Sequence, residues 1–200
     1  MSAIQSSVRS EEFLTIPRIL LFQQEGEEEI PAVPAGFDIA KFLDPSGYVA
    51  IRGKEGRSAW RSGLTLSLSY GGRRPFSEAF EKYFFGKVEG LPTDKTIVRV
   101  ERPTSVYPMD DAIVLTLVGG NCAELTLGQI IGFLAKSSDS AKWCSFFARD
   151  KDNVLRKVTA VADWSAGTFL GWYLDTPTQD FSLFINHRIV SPLRRPHSSG

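Results

Sequence analysis

Short apolar runs broken at regular intervals by turn residues constrain this chain more than any other feature. Strand-like runs occupy residues 48–52, 64–69, 83–88, 96–101, 112–118, 143–149, 154–161, 168–174 and 181–188, and 16–22 is a further candidate. The run Leu64-Thr65-Leu66-Ser67-Leu68-Ser69 alternates strictly, the period of a strand with one buried face. Between the runs lie turn signals: Gly53-Lys54-Glu55-Gly56, Gly71-Gly72, Gly119-Gly120-Asn121, Asp150-Lys151-Asp152-Asn153 and Pro177-Thr178-Gln179-Asp180. About ten short strands at this spacing predict an all-β sandwich or barrel and not a βαβ architecture. Two stretches compete for helix. Residues 77–84 place Ala79, Phe80 and Phe84 behind a Ser77 cap. Residues 127–135 place Ile130, Ile131 and Leu134 behind Thr126 and Gln129, the spacing of a capping box.

The opening of the chain has a different character. An acidic run, Glu25-Gly26-Glu27-Glu28-Glu29, is followed by Pro31 and Pro34, so residues 1–42 are expected to be an extended arm or removable leader. A single domain is expected over residues 43–190, with a flexible basic tail, 191–200, behind it. Arg188, Arg194 and Arg195 are read as solvated. Basic and acidic residues balance at 23 each, which gives no reason to expect nucleic acid or an anionic membrane as partner. No stretch approaches the roughly 18–20 apolar residues that span a bilayer, and 16–22 is too short for a secretory signal. The two cysteines, Cys122 and Cys144, are too few for a disulfide scaffold, and no Asn-x-Ser/Thr acceptor occurs. Synthesis in the cytosol is the expectation.

Signatures of enzymes are sparse: the chain has no GxGxxG, Walker loop, HExxH, GxSxG or CxxC. With only His187 and His197, a histidine-based metal site lacks ligands, and neither metal nor cofactor is expected. One nucleophile reading is worth carrying. Cys122 follows a Gly-rich turn and precedes a helix start that could stabilise its thiolate, with His187 as base and Asn186 or Asp163 to orient it. The blander alternative, a small residue beside a turn and a strand histidine, is preferred. The pairs Asp110-Asp111 and Asp150/Asp152 read as turn residues that bond local amides, not as metal ligands. Aromatic residues crowd the last third, where they read first as core.

Within that third, Trp164-Ser-Ala-Gly-Thr-Phe169-Leu-Gly171-Trp172-Tyr173-Leu174-Asp-Thr176 resembles the signature of the interleukin-1 cytokine family. That pattern runs aromatic, four variable residues, aromatic, Pro, Gly or Asn, then Trp-aromatic-aliphatic-x-Thr. Trp164, Ala166 and Leu170 stand where the family usually has Phe, Ser and Pro. Upstream, Ile113-Val-Leu115-Thr-Leu117, a Gly-rich turn, Leu125-Thr-Leu127 and Phe147-x-Arg149 resemble the strand order of the family. Three features depart from it: Ile51-Arg52-Gly53 lacks an expected Asp, the stretch between Arg149 and Trp164 is longer than usual, and nothing after Ile185 matches its closing Phe-x-Phe strand.

The resemblance implies an all-β fold, a β-trefoil of about twelve strands with one or two short helices in loops. It implies a non-enzymatic cytokine, monomeric when free, that binds an immunoglobulin-type interleukin-1 receptor ectodomain and signals or antagonises in inflammation. Such a chain leaves the cytosol by a non-classical route after removal of a pro-segment, for which Asp38 is the cleavage candidate. Trp164, Phe169, Gly171, Trp172, Tyr173, Leu174 and Thr176 would be the family-signature core. The receptor contacts cannot be carried over. Charge and turn position alone single out Arg52, Lys54, Glu55, Arg57, Arg73 and Arg74. The alternatives are a β-rich module that binds carbohydrate or protein and, more remotely, a Cys122–His187 hydrolase.

Overall fold

The computed structural model describes residues 18–40, 76–104, 111–136, 143–165, 168–177 and 187–193. Strand predominates over helix. Six strands form one sheet: β1 (Phe22–Ile30), β2 (Thr96–Pro103), β3 (Trp143–Arg149), β4 (Leu155–Ser165), β5 (Thr168–Asp175) and β6 (His187–Pro192). Their order is β1-β2-β6-β3-β4-β5, antiparallel except for the parallel pair of β3 and β6 at the centre. The helices are α1 (Arg18–Leu21), α2 (Glu78–Phe84), α3 (Asp111–Val118) and α4 (Leu127–Lys136), with a 3-10 turn at Gly120–Ala123. A count of twelve strands is not reached among the described residues.

Both faces of the sheet are covered. Val98 and Val100 of β2, Phe146 and Ala148 of β3, Val158 and Ala160 of β4, Trp172 and Leu174 of β5 and Val190 of β6 point to one side, where α2 and α4 meet them. Phe147 and Ile189 point to the other, against Leu21, Phe22, Val114, Val118 and Ala123. Adjacent strand residues alternate between these two clusters, as the pleat requires.

Local chemistry accounts for the two expected helices. Ser77 caps α2 by accepting the Phe80 amide at 3.0 Å, and Phe80 stacks on Phe84 with ring centroids 4.9 Å apart. At α4 the Thr126 hydroxyl accepts the Gln129 amide at 3.2 Å, while the Gln129 side chain accepts the Thr126 amide at 2.9 Å. This is the reciprocal capping box. The amides of Leu127 and Gly128 donate to the buried carboxylate of Glu89, at 2.5 and 3.1 Å. Burial pushes the Glu89 carboxyl up from its ordinary value, against the pull of those two amides and of Lys87.

Several expectations are corrected. Residues 112–118 are not a strand but lie in α3. Ile-Val-Leu-Thr-Leu-Val fits either period over so short a run, and burying Val114 and Val118 on one helical face decides it. Tyr83 and Phe84 belong to α2 and not to a strand over 83–88. Within residues 1–42, expected to be an extended arm or removable leader, the described part packs onto the rest of the fold. The acidic run is the edge strand β1, register-paired with β2 from Phe22↔Pro103 to Ile30↔Thr96, and Ile30, Val33, Phe37 and Ile39 are buried in the core. Glutamates are tolerated because β1 ends the order of the described strands and Glu25, Glu27 and Glu29 are exposed. Strand also extends past residue 190, where the domain was expected to end. Ile189, Val190 and Ser191 are buried in β6, between β2 and β3, and Arg188 is paired with Glu25 at 2.5 Å instead of solvated. The predicted strands at 48–52 and 64–69 lie outside the described residues, as does 181–186.

One close approach ties the N-terminal segment to α4. A Cβ on Gly128 would stand 2.4 Å from Val33 Cγ1 and 3.3 Å from both Val33 Cβ and Cγ2. Gly128→Ala is therefore expected to destabilise the protein by about 1–3 kcal/mol, the usual cost of overpacking. Urea unfolding checks this, and adding Val33→Ala should recover part of the loss.

Candidate functional site

The Cys122–His187 pairing finds little in the fold to assemble it. Cys122 is half-buried on the 3-10 turn, after Gly119 and Gly120 at φ of 115° and 62°. The helix start expected to stabilise its thiolate is occupied, since the first amides of α4 already bond Thr126, Gln129 and Glu89. His187 opens β6, buried, with its ring 4.9 Å from that of Trp143. Around it stand Ser145, Lys157, Thr159 and Asp175, in a small pocket that Cys122 does not line. Cys144 is buried in the core, where desolvation pushes its thiol up to about 12. Asn186 is outside the described residues. Among the described residues no group of three His, Cys, Asp or Glu could hold a metal, and no helix is long and apolar enough to cross a membrane.

Desolvation, and then the charge of Lys157, push the His187 imidazolium down to about 4 from 6.5. The folded protein thus holds this ring neutral, and protonating it favours unfolding. The stabilising contribution is complete above about pH 6.5 and is lost as pH falls through about 4. With allowance for screening, its size is about 2 kcal/mol. A histidine ring resonance titrating near 4, and a urea midpoint whose fall between pH 7 and 4 is flattened in His187→Gln, are the expected results.

A larger cleft, about 360 Å³, lies beside this pocket and shares Lys157 and Pro177 with it. Its position follows from strand register. Pairing of β4 with β5 begins at Thr159↔Asp175, so Leu155 to Val158 have β3 on one side and no β5 on the other. Arg156 and Lys157, neighbours on this stretch of β4, both line the cleft. Tyr83 of α2, Asp111 at the start of α3, Phe147 and Thr176 also border it.

The charged groups here are braced by specific partners. Lys157 Nζ donates to Asp111 at 2.6 Å, joining α3 to the sheet. Arg156 Nε donates to Asp150 at 2.5 Å, and its guanidinium carbon sits 3.7 Å from the centroid of Tyr83. The second oxygen of Asp150 accepts the amides of Asp152 and Val154, each at 2.8 Å, closing the β3–β4 turn with Asn153 at φ 62°. Burial pushes the Asp150 carboxyl up, but the Arg156 guanidinium and these amides outweigh it and hold the group below its ordinary value. The expectation that Asp150 serves a turn fits this geometry.

The signature residues occupy the β4–β5 hairpin, with Trp164 opposite Phe169 beside a bulge at Asp163, and Tyr173 opposite Val161. Trp172 and Leu174 are buried, and Trp172 Nε1 donates to the Leu134 carbonyl at 3.2 Å. Gly171 faces Asp163 in the register, and Thr176 lies just past β5, buried. Asp38 is buried too, its carboxylate accepting the Ala40 amide at 3.0 Å, so a protease would have to open the fold to reach it. Arg52, Lys54, Glu55, Arg57, Arg73 and Arg74 lie outside the described residues. Sequence reasoning missed Glu89, Arg156 and Lys157. An adjacent Arg-Lys pair inside an apolar strand was the available sign for the last two.

No family model matches this chain, and neither a curated protein nor a solved structure matches it.

Proposed function

We propose that the protein acts by recognising a macromolecular partner through surface complementarity, without covalent chemistry. The observation that carries this reading is the connection over residues 85–95. It is tied down at several points yet presents apolar side chains to water. Val33 and Thr93 exchange backbone hydrogen bonds at 3.0 and 2.9 Å, Gly36 and Glu89 bond at 2.8 Å, and Glu89 and Phe37 at 2.9 Å. Lys87 Nζ reaches the Arg149 carbonyl, and the Glu89 side chain caps α4. On this braced segment Leu91 is 81% exposed and Val88 50%. A loop held by a rigid scaffold loses little freedom on binding, and an exposed leucine at its tip is a natural anchor for a partner.

The narrower form of the proposal is an interleukin-1-family cytokine whose partner is an immunoglobulin-type receptor ectodomain. Its support is the run from Trp164 to Thr176, contiguous on one hairpin with Trp172 in the core. A β-trefoil would need its remaining strands from residues outside those described, and would have to accommodate the parallel β3–β6 pair. A carbohydrate-binding module is the weaker alternative, because His187 already lies against the ring of Trp143, the half-buried aromatic nearest the polar pocket.

Passing interleukin-1-type receptor ectodomains over the immobilised full chain tests both forms. Binding weakened tenfold or more by Leu91→Asp, at unchanged melting temperature, supports them together. An exposed substitution of this kind moves stability by only about 0.5 kcal/mol. Binding indifferent to Leu91→Asp would take the contact off this loop. Failure of every such ectodomain to bind would end the cytokine reading.

A further inference from the structure

The cleft beside Arg156 and Lys157 of β4 has a chemistry of its own, separate from the exposed loop. We infer that it is a binding site for a small carboxylate-bearing ligand with an apolar body, the carboxylate seated on Arg156. The guanidinium is fixed before any ligand arrives. Its Nε is committed to Asp150 at 2.5 Å and its plane rests on Tyr83, with the carbon 3.7 Å from the ring centroid. Among the described residues its two terminal nitrogens make no hydrogen bond, although Arg156 borders the cleft. That outer edge is the planar fork that pairs with a carboxylate through two parallel hydrogen bonds.

The surrounding charges leave the fork available. Asp150 is fully buried, and its oxygens are taken by the Arg156 Nε and by two turn amides. Asp111, the carboxylate that lines the cleft among the described residues, is engaged by Lys157 at 2.6 Å. Leu115, Phe147 and Leu155 supply apolar lining to the same cleft. A volume of about 360 Å³ is at the lower end of small-ligand sites, which calls for a short apolar body behind the acid. The carboxylate can come from a free organic acid or from the C-terminus of an extended peptide.

Titration calorimetry on the full chain separates these cases, with hexanoate, hexan-1-ol and hexylamine as probes beside a tetrapeptide ending in Leu, as free acid and as amide. Saturable binding of hexanoate or the peptide acid, without binding of the alcohol, amine or peptide amide, is the expected result. Arg156→Gln should weaken that binding by roughly tenfold or more, as loss of a charge-assisted pair does. Because that variant also unpairs Asp150, Leu115→Trp serves as a second one. It fills the apolar wall, leaves Arg156 and Asp150 intact, and should abolish binding while far-ultraviolet circular dichroism is preserved. Tighter binding of the peptide acid assigns the ligand to a chain terminus, and tighter binding of hexanoate to a free acid. Equal binding of acid and alcohol, indifference to Leu115→Trp, or no saturable binding of either acid would overturn the inference.

Discussion

A chain shortened to residues 39–200, the product of cleavage after Asp38, is expected to be unfolded. The cut removes α1 and β1, and with them Leu21, Phe22, Ile30, Val33 and Phe37, each 2% exposed or less. Burying a side chain of this kind is worth about 1.5–3 kcal/mol, so five amount to roughly 10 kcal/mol. That is comparable with the whole stability of an ordinary domain, about 5–15 kcal/mol. The loss also strips β2 of its outer neighbour and Thr93 of its backbone partner Val33. Collapsed amide dispersion in a nitrogen–proton correlation spectrum, and no cooperative melt, are the expected observations. A shortened chain that melts cooperatively near the temperature of the intact one would restore the removable-leader reading and contradict the place of β1 in the fold.

The second large effect is expected at Trp172. Its ring is buried among the residues of the larger core, and its indole N–H donates to Leu134 of α4. Trp172→Ala should cost about 3–5 kcal/mol, the usual range for deleting a buried aromatic. Trp172→Phe should cost less, since it keeps most of the apolar area and loses chiefly the hydrogen bond. Urea unfolding of the two variants measures both. The comparison bears on function because Trp172 is the centre of the segment that resembles the interleukin-1 signature. A stability loss of this size identifies the tryptophan as a packing residue, so partner recognition must be sought on exposed positions such as Leu91. An unchanged unfolding midpoint combined with lost partner binding would reverse that assignment.

Much of the architecture was legible residue by residue. Strand β3 coincides with the predicted run 143–149, and β2, β4 and β5 fall on predicted runs with small shifts at their ends. The Ser77 cap, the Thr126–Gln129 box and the Asp150 turn have the hydrogen bonds their side-chain types imply. In each case the deciding chemistry lies within a few residues along the chain: a period of two, a hydroxyl three residues before an amide, a carboxylate at the start of a turn.

What the sequence could not decide depends on partners distant along the chain. The run 112–118 satisfies both periods, and it is a helix because Val114 and Val118 find Phe147 and Ile189 on the sheet. The acidic residues 25–29 look like a solvated arm, yet they form an edge strand because β2 is there to pair with them. Residues 189–191 look like the beginning of a tail, but become central through flanking strands about ninety and forty-four residues before them. The cleft lies where the pairing of β5 with β4 stops at Thr159, beside Arg156 and Lys157. Composition and periodicity thus determined a strand-rich protein with two capped helices. Strand order, the integral N-terminal edge and the placement of charge around the cleft were set by tertiary pairing, because burial and hydrogen-bond satisfaction are completed by groups far away in the chain.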